Sequence, residues 1–407
     1  MYPLDRKLVA SLFLLGLLLF IISLAQRQRR QDGPDSGKDT IHPTSENIPV
    51  ITDPRFVLRP EASEQGAENN FIDMTEYEEI ATIGLNEGNP HEMFGNIVDV
   101  ATNYAGTLFV LDSEYNQVRV FDYDGSHIST FGGPGEGPGE FLYPWKVLLA
   151  NIGRTVAVHS INPFVHVFER QDATTFQLRS SFPDDVQLGE SGCAMNGYFY
   201  YLGFSNELDG VIHKYTLEGD RVASFGAPYK SSSPIATQVL SDSGYLACSE
   251  QHAMIAHIRS YVPVVTGYKE TGEAAWQVLF PDFKPSRVEV SRTEDGRESI
   301  FLGNPVIGEN SFVDLFTDSS GDYFYVKHST HVGPREDGSI VVHDVFRVDA
   351  RTGEGSYLGN APLGQMHTDL DDPYVITAWN YPFPRVKIYK VREAHSRAVN
   401  PKVPGES

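Results

Sequence analysis

Cysteine is nearly absent. Cys193 and Cys248 are the only two in 407 residues, and their separation fits neither a zinc ligand set nor a disulfide-rich scaffold. The default for such a pair is two buried free thiols, with one bridge open to them after export. Basic residues are also short: 32 Lys and Arg stand against 54 Asp and Glu, a formal net charge of −22. That mean field repels phosphate backbones and excludes nucleic acid as a partner; its plainest use is solubility. Missing too are a serine nucleophile elbow, an HExxH helix, a CxxC pair and a phosphate-binding GxxxxGK[ST] loop, so hydrolase, zinc-protease and nucleotide-hydrolysing chemistries lack support. Past residue 25 there is no long apolar run and few long helical patterns.

What the chain does have is aromatic and turn-forming residues: 20 Tyr and 24 Phe beside 36 Gly and 25 Pro. This favours strands punctuated by turns. The start is different in kind. Leu8 to Ala25 is a nearly unbroken apolar run after MYPLDRK, ending Ser23-Leu24-Ala25 before QRQRR. Residues 1–25 read as a signal peptide or signal anchor, since about 18 apolar residues is the lower limit for a bilayer span and Ser-x-Ala fits a cleavage site. Arg27, Arg29 and Arg30 outnumber Arg6 and Lys7, which by charge alone would hold the following chain in the cytoplasm. Export is still the reading, because long C-terminal domains translocate largely regardless of such bias. Residues 26–70 are polar and read as a disordered linker; residues 392–407 read as a flexible tail.

From Phe71 to Val391 a repeat emerges. The clearest copy runs from Ile97 to Phe131 as four short strands, with strict alternation in Val118-Arg119-Val120-Phe121 and a hairpin signal at Asp124-Gly125. Further units run from Lys146 to Phe182, Leu188 to Phe225, Gln238 to Phe280 and Phe312 to Leu358, with 281–308 as an insertion. The last unit gives only three strands, MHTDL, YVITAW and VKIYKVRE. Tyr77 to Ile83 stands alone before the first unit and can supply the fourth, closing a ring and removing its exposed ends. The expected fold is all-β: six four-stranded antiparallel units in a ring, preceded by an apolar N-terminal helix.

Between the first two units lies FGGPGEGPGEFLYP, Phe131 to Pro144. Its glycines invite comparison with a phosphate cradle, but it holds no Lys, and Glu136 and Glu140 would repel phosphate. It reads as a connector. Gly132 to Gly139 with Phe141-x-x-Pro144, together with Val110-Leu111-Asp112 and Val118-x-Val120-Phe121, resembles the NHL-repeat family of β-propellers. Residues 76 to 391 are similar to six-bladed propellers of that kind, which implies function on the face bearing these connectors and the turns between second and third strands.

On that face the candidate binding residues are Asp112, Glu114, Asn116, His159, Asn162, Glu207, Asp209, His252, His328, His331, Arg335, Trp379, Asn380 and Tyr381. The loop Trp379 to Phe383 could equally cover the seam where the ring closes. Glu92, Glu190, Glu309 and His367 fall near the starts of inner strands, where convergent oxygen and imidazole donors could hold a divalent cation such as calcium; otherwise no cofactor is expected. The function read from these features is a non-catalytic binding propeller, extracytoplasmic, taking a protein, peptide or glycan, and touching the membrane only through its N-terminal segment if that is uncleaved. The alternative is a metal-dependent propeller enzyme, lactonase- or lyase-like, with its site at the central channel.

Overall fold

The computed structural model describes residues 37–44, 48, 56–57 and 71–392, with short breaks at 89–91, 161–163, 184–185, 187, 294, 303–304, 335–340, 362–366 and 372. The expected leader over 1–25 and the tail past 392 lie outside the described residues. Among the described residues no helix is long and apolar enough to cross a membrane.

Three short strands come first: β1 (Gly37–Ile41), β2 (Phe56–Val57) and β3 (Tyr77–Ile83). Sheet I is β4 (Ile97–Thr102), β5 (Thr107–Asp112), β6 (Gln117–Asp122) and β7 (His127–Gly132), a meander paired in sequence order. Strand β5 is wholly buried and β6 nearly so, while the outermost β7 alternates between buried and exposed positions. The Asp124-Gly125 turn forms as read, with Gly125 at φ 90°.

Sheet II follows as β8 (Pro144–Ala150), β9 (Thr155–Ser160), β10 (Phe164–Arg170) and β11 (Phe176–Pro183). Sheet III is β12 (Leu188–Met195), β13 (Tyr198–Gly203), β14 (Ile212–Thr216) and β15 (Arg221–Phe225). The connector between sheets I and II turns on Gly132, at φ 88°, where an added Cβ would lie 2.2 Å from the ring of buried Phe141. The backbone then folds on itself, Phe141 N–H donating to Gly133 O at 2.7 Å. Only glycine fits that close approach.

The fourth unit departs from the expected phasing. Residues Gln238 to Asp242, expected to open a strand, belong to helix α1 (Pro234–Asp242), started by Ser233, whose hydroxyl accepts from Ala236 N–H, with Pro234 in the first turn. Sheet IV is β16 (Gly244–Ser249), β17 (Met254–Arg259), β18 (Val264–Lys269) and β19 (Ala274–Leu279), and β2 adds to β19 in parallel. The expected insertion at 281–308 contains a hairpin, β20 (Val288–Arg292) and β21 (Glu298–Leu302), which pairs with β1 as a three-stranded sheet. Two pieces of the expected disordered linker, β1 and β2, are therefore paired strands. Backbone hydrogen bonding to edges supplied about 250 residues downstream for β1 and about 220 for β2 orders segments whose own composition could not.

Sheet V is β22 (Asn310–Thr317), β23 (Tyr323–His331), β24 (Val341–Asp349) and β25 (Gly355–Asn360). Sheet VI is β26 (His367–Asp371), β27 (Tyr374–Trp379) and β28 (Arg385–Val391), with β3 antiparallel to β28 as its fourth strand.

Apolar side chains fill the space between successive sheets. Separate cores join VI to I, I to II, II to III, III to IV and IV to V. Sheets V and VI meet through the Asp318–Leu370 bridge and a hydrogen bond from Ser319 N–H to Leu370 O. Cys193 and Cys248, expected as free thiols, are bonded, with Cα atoms 5.6 Å apart. The innermost strands β12 and β16 lie side by side and bring the two cysteines within bonding reach.

Candidate functional site: the loop face

In every sheet the turn between second and third strands emerges at the same end as the connector to the next sheet. Helix α1 and the three-stranded sheet belong to two such connectors. They pack together through Tyr229, Leu240, Val288 and Ile48 onto Val262, in the β17–β18 turn. Ser233 Oγ also donates to Glu298 Oε2 at 2.7 Å. Among the described residues these elements form a cap over the sheet IV sector, and neither lies over the face of sheets VI, I and II.

In that uncovered sector Asp112 is fully buried and its carboxylate organises the turn. It accepts from Gly95 N at 2.9 Å, from Asn96 N and Glu114 N at 3.1 Å, and from Tyr115 N at 3.3 Å. Burial pushes its pKa up while these bonds and Arg119 pull the other way. Arg119 lies 3.9 Å from it, donates to Met93 O, and sits over the rings of Phe94 and Tyr115. Asp112 is thus a structural staple of the turn. Asn116, at φ 54°, accepts from Tyr143 N–H at 3.0 Å and ties the turn to the connector. Glu114 is exposed beside it.

Asn380 is a seam residue. Its amide accepts from Ile97 N–H at 3.0 Å and donates to Ile97 O at 2.8 Å and Asn96 Oδ1 at 3.1 Å, joining sheet VI to sheet I. Trp379 is half-buried under Arg385, and Tyr381, before a cis Pro382, is 86% exposed. His159 is buried against Trp145, ring centroids 4.3 Å apart. Glu207 and Asp209 are exposed in the β13–β14 turn. Asn162 and Arg335 lie outside the described residues.

His252 falls on the opposite end, because the helix shifts the phase of the fourth unit by one strand. It sits in the β16–β17 turn and pairs with Asp322 at 2.7 Å. The equivalent loop-face turn of sheet IV is Ser260–Pro263.

His328 is buried within sheet V, its Nδ1 3.5 Å from Asp344 Oδ2, and Tyr357 and Asn360 both donate to Oδ1 of the same carboxylate. His331 is half-buried at the strand end. Beside them are groups that the sequence reading passed over. Lys327 is buried and its pKa is lowered by desolvation, with Asp314 opposing. His343 is held to about 4, first by burial and then by Lys327. Alternation assigns these residues to strands, but a half-polar strand does not announce which face is dry.

Of the proposed metal donors, Glu92 and Glu309 are half-buried, and Glu309 is engaged by Val306 N–H at 3.0 Å. Glu190 and His367 lie in β12 and β26, with side chains outside the described set. Among the described residues no three His, Cys, Asp or Glu stand close enough to hold a metal ion.

The sequence list also missed the face's exposed aromatics. Tyr115, Tyr143 and Phe164 stand in solvent along the uncovered sector with Tyr381. Phe164 continues through His166 to Phe141 by ring contacts. Tyr143 holds a left-handed φ of 50° in presenting its ring.

Comparison with known proteins agrees with the architecture. Residues 72–170, which hold β3, sheet I and the first three strands of sheet II, match a family model described as a 6-bladed beta-propeller. No curated protein matches the chain. Among solved structures, a candidate exported protein of Bacteroides fragilis is similar over 83% of this chain and 99% of its own, with a TM-score of 0.50 at 11% identity. An identity that low carries the fold alone. Sheets I to VI are the blades of a six-bladed β-propeller.

Proposed function

We propose that this chain is an exported, non-catalytic binding propeller of the NHL type, its ring closed by β3. It engages a protein, peptide or glycan through the uncovered sector of the loop face. The observation that carries the reading is the row of exposed aromatic side chains, Tyr115, Tyr143 and Tyr381 beside turns fixed by Asp112, Asn116 and Asn380, with Phe164 at the start of β10. Aromatic rings offer large contact area at low conformational cost, and prefixed turns reduce the ordering that binding requires. Support for closure comes from the inner strands: β4 neighbours both β8 and β26, and β22 neighbours β26. Support for export comes from the apolar run at 8–25, the Cys193–Cys248 bridge, which suits an oxidising compartment, and the exported relative.

Glycan and peptide arrays probed with wild type and with Tyr115→Ser/Tyr143→Ser/Phe164→Ser/Tyr381→Ser test it. The expected result is a defined set of bound probes that the fourfold variant loses and that Ile152→Ser, on the opposite end, retains. Undiminished binding by the fourfold variant would remove this surface from consideration.

A further inference from the structure

The turns that carry Tyr115, Tyr143 and Tyr381 form one linked surface. Asn380 bonds to Ile97 and Asn96, the Asp112 carboxylate holds Gly95 and Asn96 N–H, and Asn116 accepts from Tyr143 N–H at 3.0 Å. The connector to sheet II is closed on itself by Gly135 N–H to Phe141 O at 3.1 Å and Gly137 N–H to Glu140 Oε2 at 2.9 Å. Residues 113–116 and 133–143 hold three exposed carboxylates, Glu114, Glu136 and Glu140, and no Lys or Arg. The cations at the adjoining strand ends are already engaged. Arg119 serves Asp112 and Met93 O, Lys146 lies 3.2 Å from Asp99, and Arg385 donates to Tyr381 O and Phe383 O. Glu79, Glu218 and Glu273, exposed elsewhere, are paired with Lys387, Arg179 and Lys269. Glu114 and Glu136 have no such partner among the described residues.

The rings beside these carboxylates already seat cations. The Arg119 guanidinium lies 5.0 Å from the Tyr115 centroid and 5.1 Å from that of Phe94, and that of Arg385 lies 5.2 Å from Phe383 and 5.6 Å from Trp379. An aromatic face attracts a guanidinium or ammonium through its quadrupole, and neighbouring carboxylates deepen the negative potential. Arg119 is itself buried, so it takes the inner side of Tyr115, which remains 37% exposed. Tyr143 and Tyr381 are more open still. An acidic segment is repelled here, and a neutral glycan gains nothing from the carboxylates.

We propose that the partner of this sector is a basic segment of a protein, its Arg and Lys side chains set against Tyr115, Tyr143 and Tyr381 and paired with Glu114, Glu136 and Glu140. This rests on the aromatic-sector reading of the function and narrows its ligand. The carboxylates stand on two separate segments, the β5–β6 turn and the connector, which an extended chain bearing several cations bridges. The net charge of −22 speeds encounter with such a partner, an effect that salt screens.

Fluorescence anisotropy of a labelled Arg-Ser repeat peptide tests this, beside a Glu-Ser repeat and a neutral Tyr-Ser repeat of the same length, with spermine as competitor. The variants are Glu114→Lys/Glu136→Lys, the charge-matched Glu218→Lys/Glu250→Lys on the opposite end, and the fourfold aromatic variant. The expected result is that wild type and the opposite-end variant bind the Arg-Ser peptide within about twofold of each other, and both loop-face variants at least about tenfold more weakly. Added salt weakens the binding, and the Glu-Ser peptide does not bind. Should the Lys pair fail to fold, Glu114→Gln/Glu136→Gln keeps the shape and is expected to lose about threefold or more. Equal losses in the two Lys variants mean that net charge alone acts, which overturns the proposal. Binding of the Tyr-Ser peptide or of an arrayed glycan that the fourfold variant loses, with none of the Arg-Ser peptide, overturns the basic partner and leaves the aromatic surface standing. Arg-Ser binding that the fourfold variant keeps overturns both. Spermine that competes as well as the peptide, charge for charge, identifies a free polyamine and overturns the protein partner.

Discussion

Asp242 is the last residue of α1, in the cap. Burial raises its pKa to about 6, with hydrogen bonds from its own and the next backbone N–H opposing, and the negative end of the helix acts in the same direction as burial. A carboxyl whose folded pKa lies above its unfolded value of 3.8 binds more proton in the native state between those pH values. Its ionisation therefore weakens the fold as pH rises through that window, with the full penalty present above about 6. Asp242→Asn, which cannot ionise, is expected to stabilise the protein by about 1–2 kcal/mol at pH 7.5, after discounting for partial exposure, and by nothing near pH 4. Urea unfolding at the two pH values checks this. The wild-type profile alone would mislead, because His343, held to about 4, destabilises the native state in the opposite direction as pH falls below 6.5. At this scale the sequence was least legible. Asp112 and Asn380 were picked out as polar groups at strand ends, which is where they are. That their polar atoms would be turned inward to hold backbone N–H groups depends on neighbours as far as 283 residues away.

At the scale of elements, strand spans follow closely from alternation, from the short length of the apolar runs and from the Gly, Asn and Asp turns that bound them. The fourth unit shows where that fails. Its run TQVLSDSGYLACSE mixes helical and strand signals, and the Ser233-Pro234 start signal decides the first half. Misreading it displaced one turn, and with it His252, to the wrong end. The strands β1 and β2 were illegible for a different reason: a five-residue and a two-residue segment gain order only from the edges they meet. The Cys193–Cys248 bridge ties β12 to β16 across a loop separation of 55 residues. Cys193→Ser/Cys248→Ser is expected to lower stability by about 2–4 kcal/mol, read as a lower denaturant midpoint than that of the oxidised wild type and close to that of the wild type under reductant.

For the whole molecule, the repeat and the split last unit were both visible from the count of strands, since β26, β27 and β28 lack a fourth and β3 has no sheet of its own. The seam is made by few groups, and Asn380 supplies three of its hydrogen bonds. Asn380→Ala leaves Ile97 N–H and C=O without these partners and is expected to cost about 2–3 kcal/mol. Hydrogen exchange should accelerate first in β3, β4 and β28, ahead of the strands of sheet III. Uniform acceleration in all six sheets would mean that the seam is no weaker than the rest.

The strands β1, β2 and β3 leave the ribosome first, yet they pair with β20, β19 and β28, which leave late or last. Lys387 meets Glu79 across 308 residues of chain. Closing loops of that length is slow, and until residue 391 is made the outer edge of sheet VI has nothing to close against. Sheets I to V pair their four strands in sequence order and can form as they emerge, so it is sheet VI and the two added edges that wait for the far end of the chain.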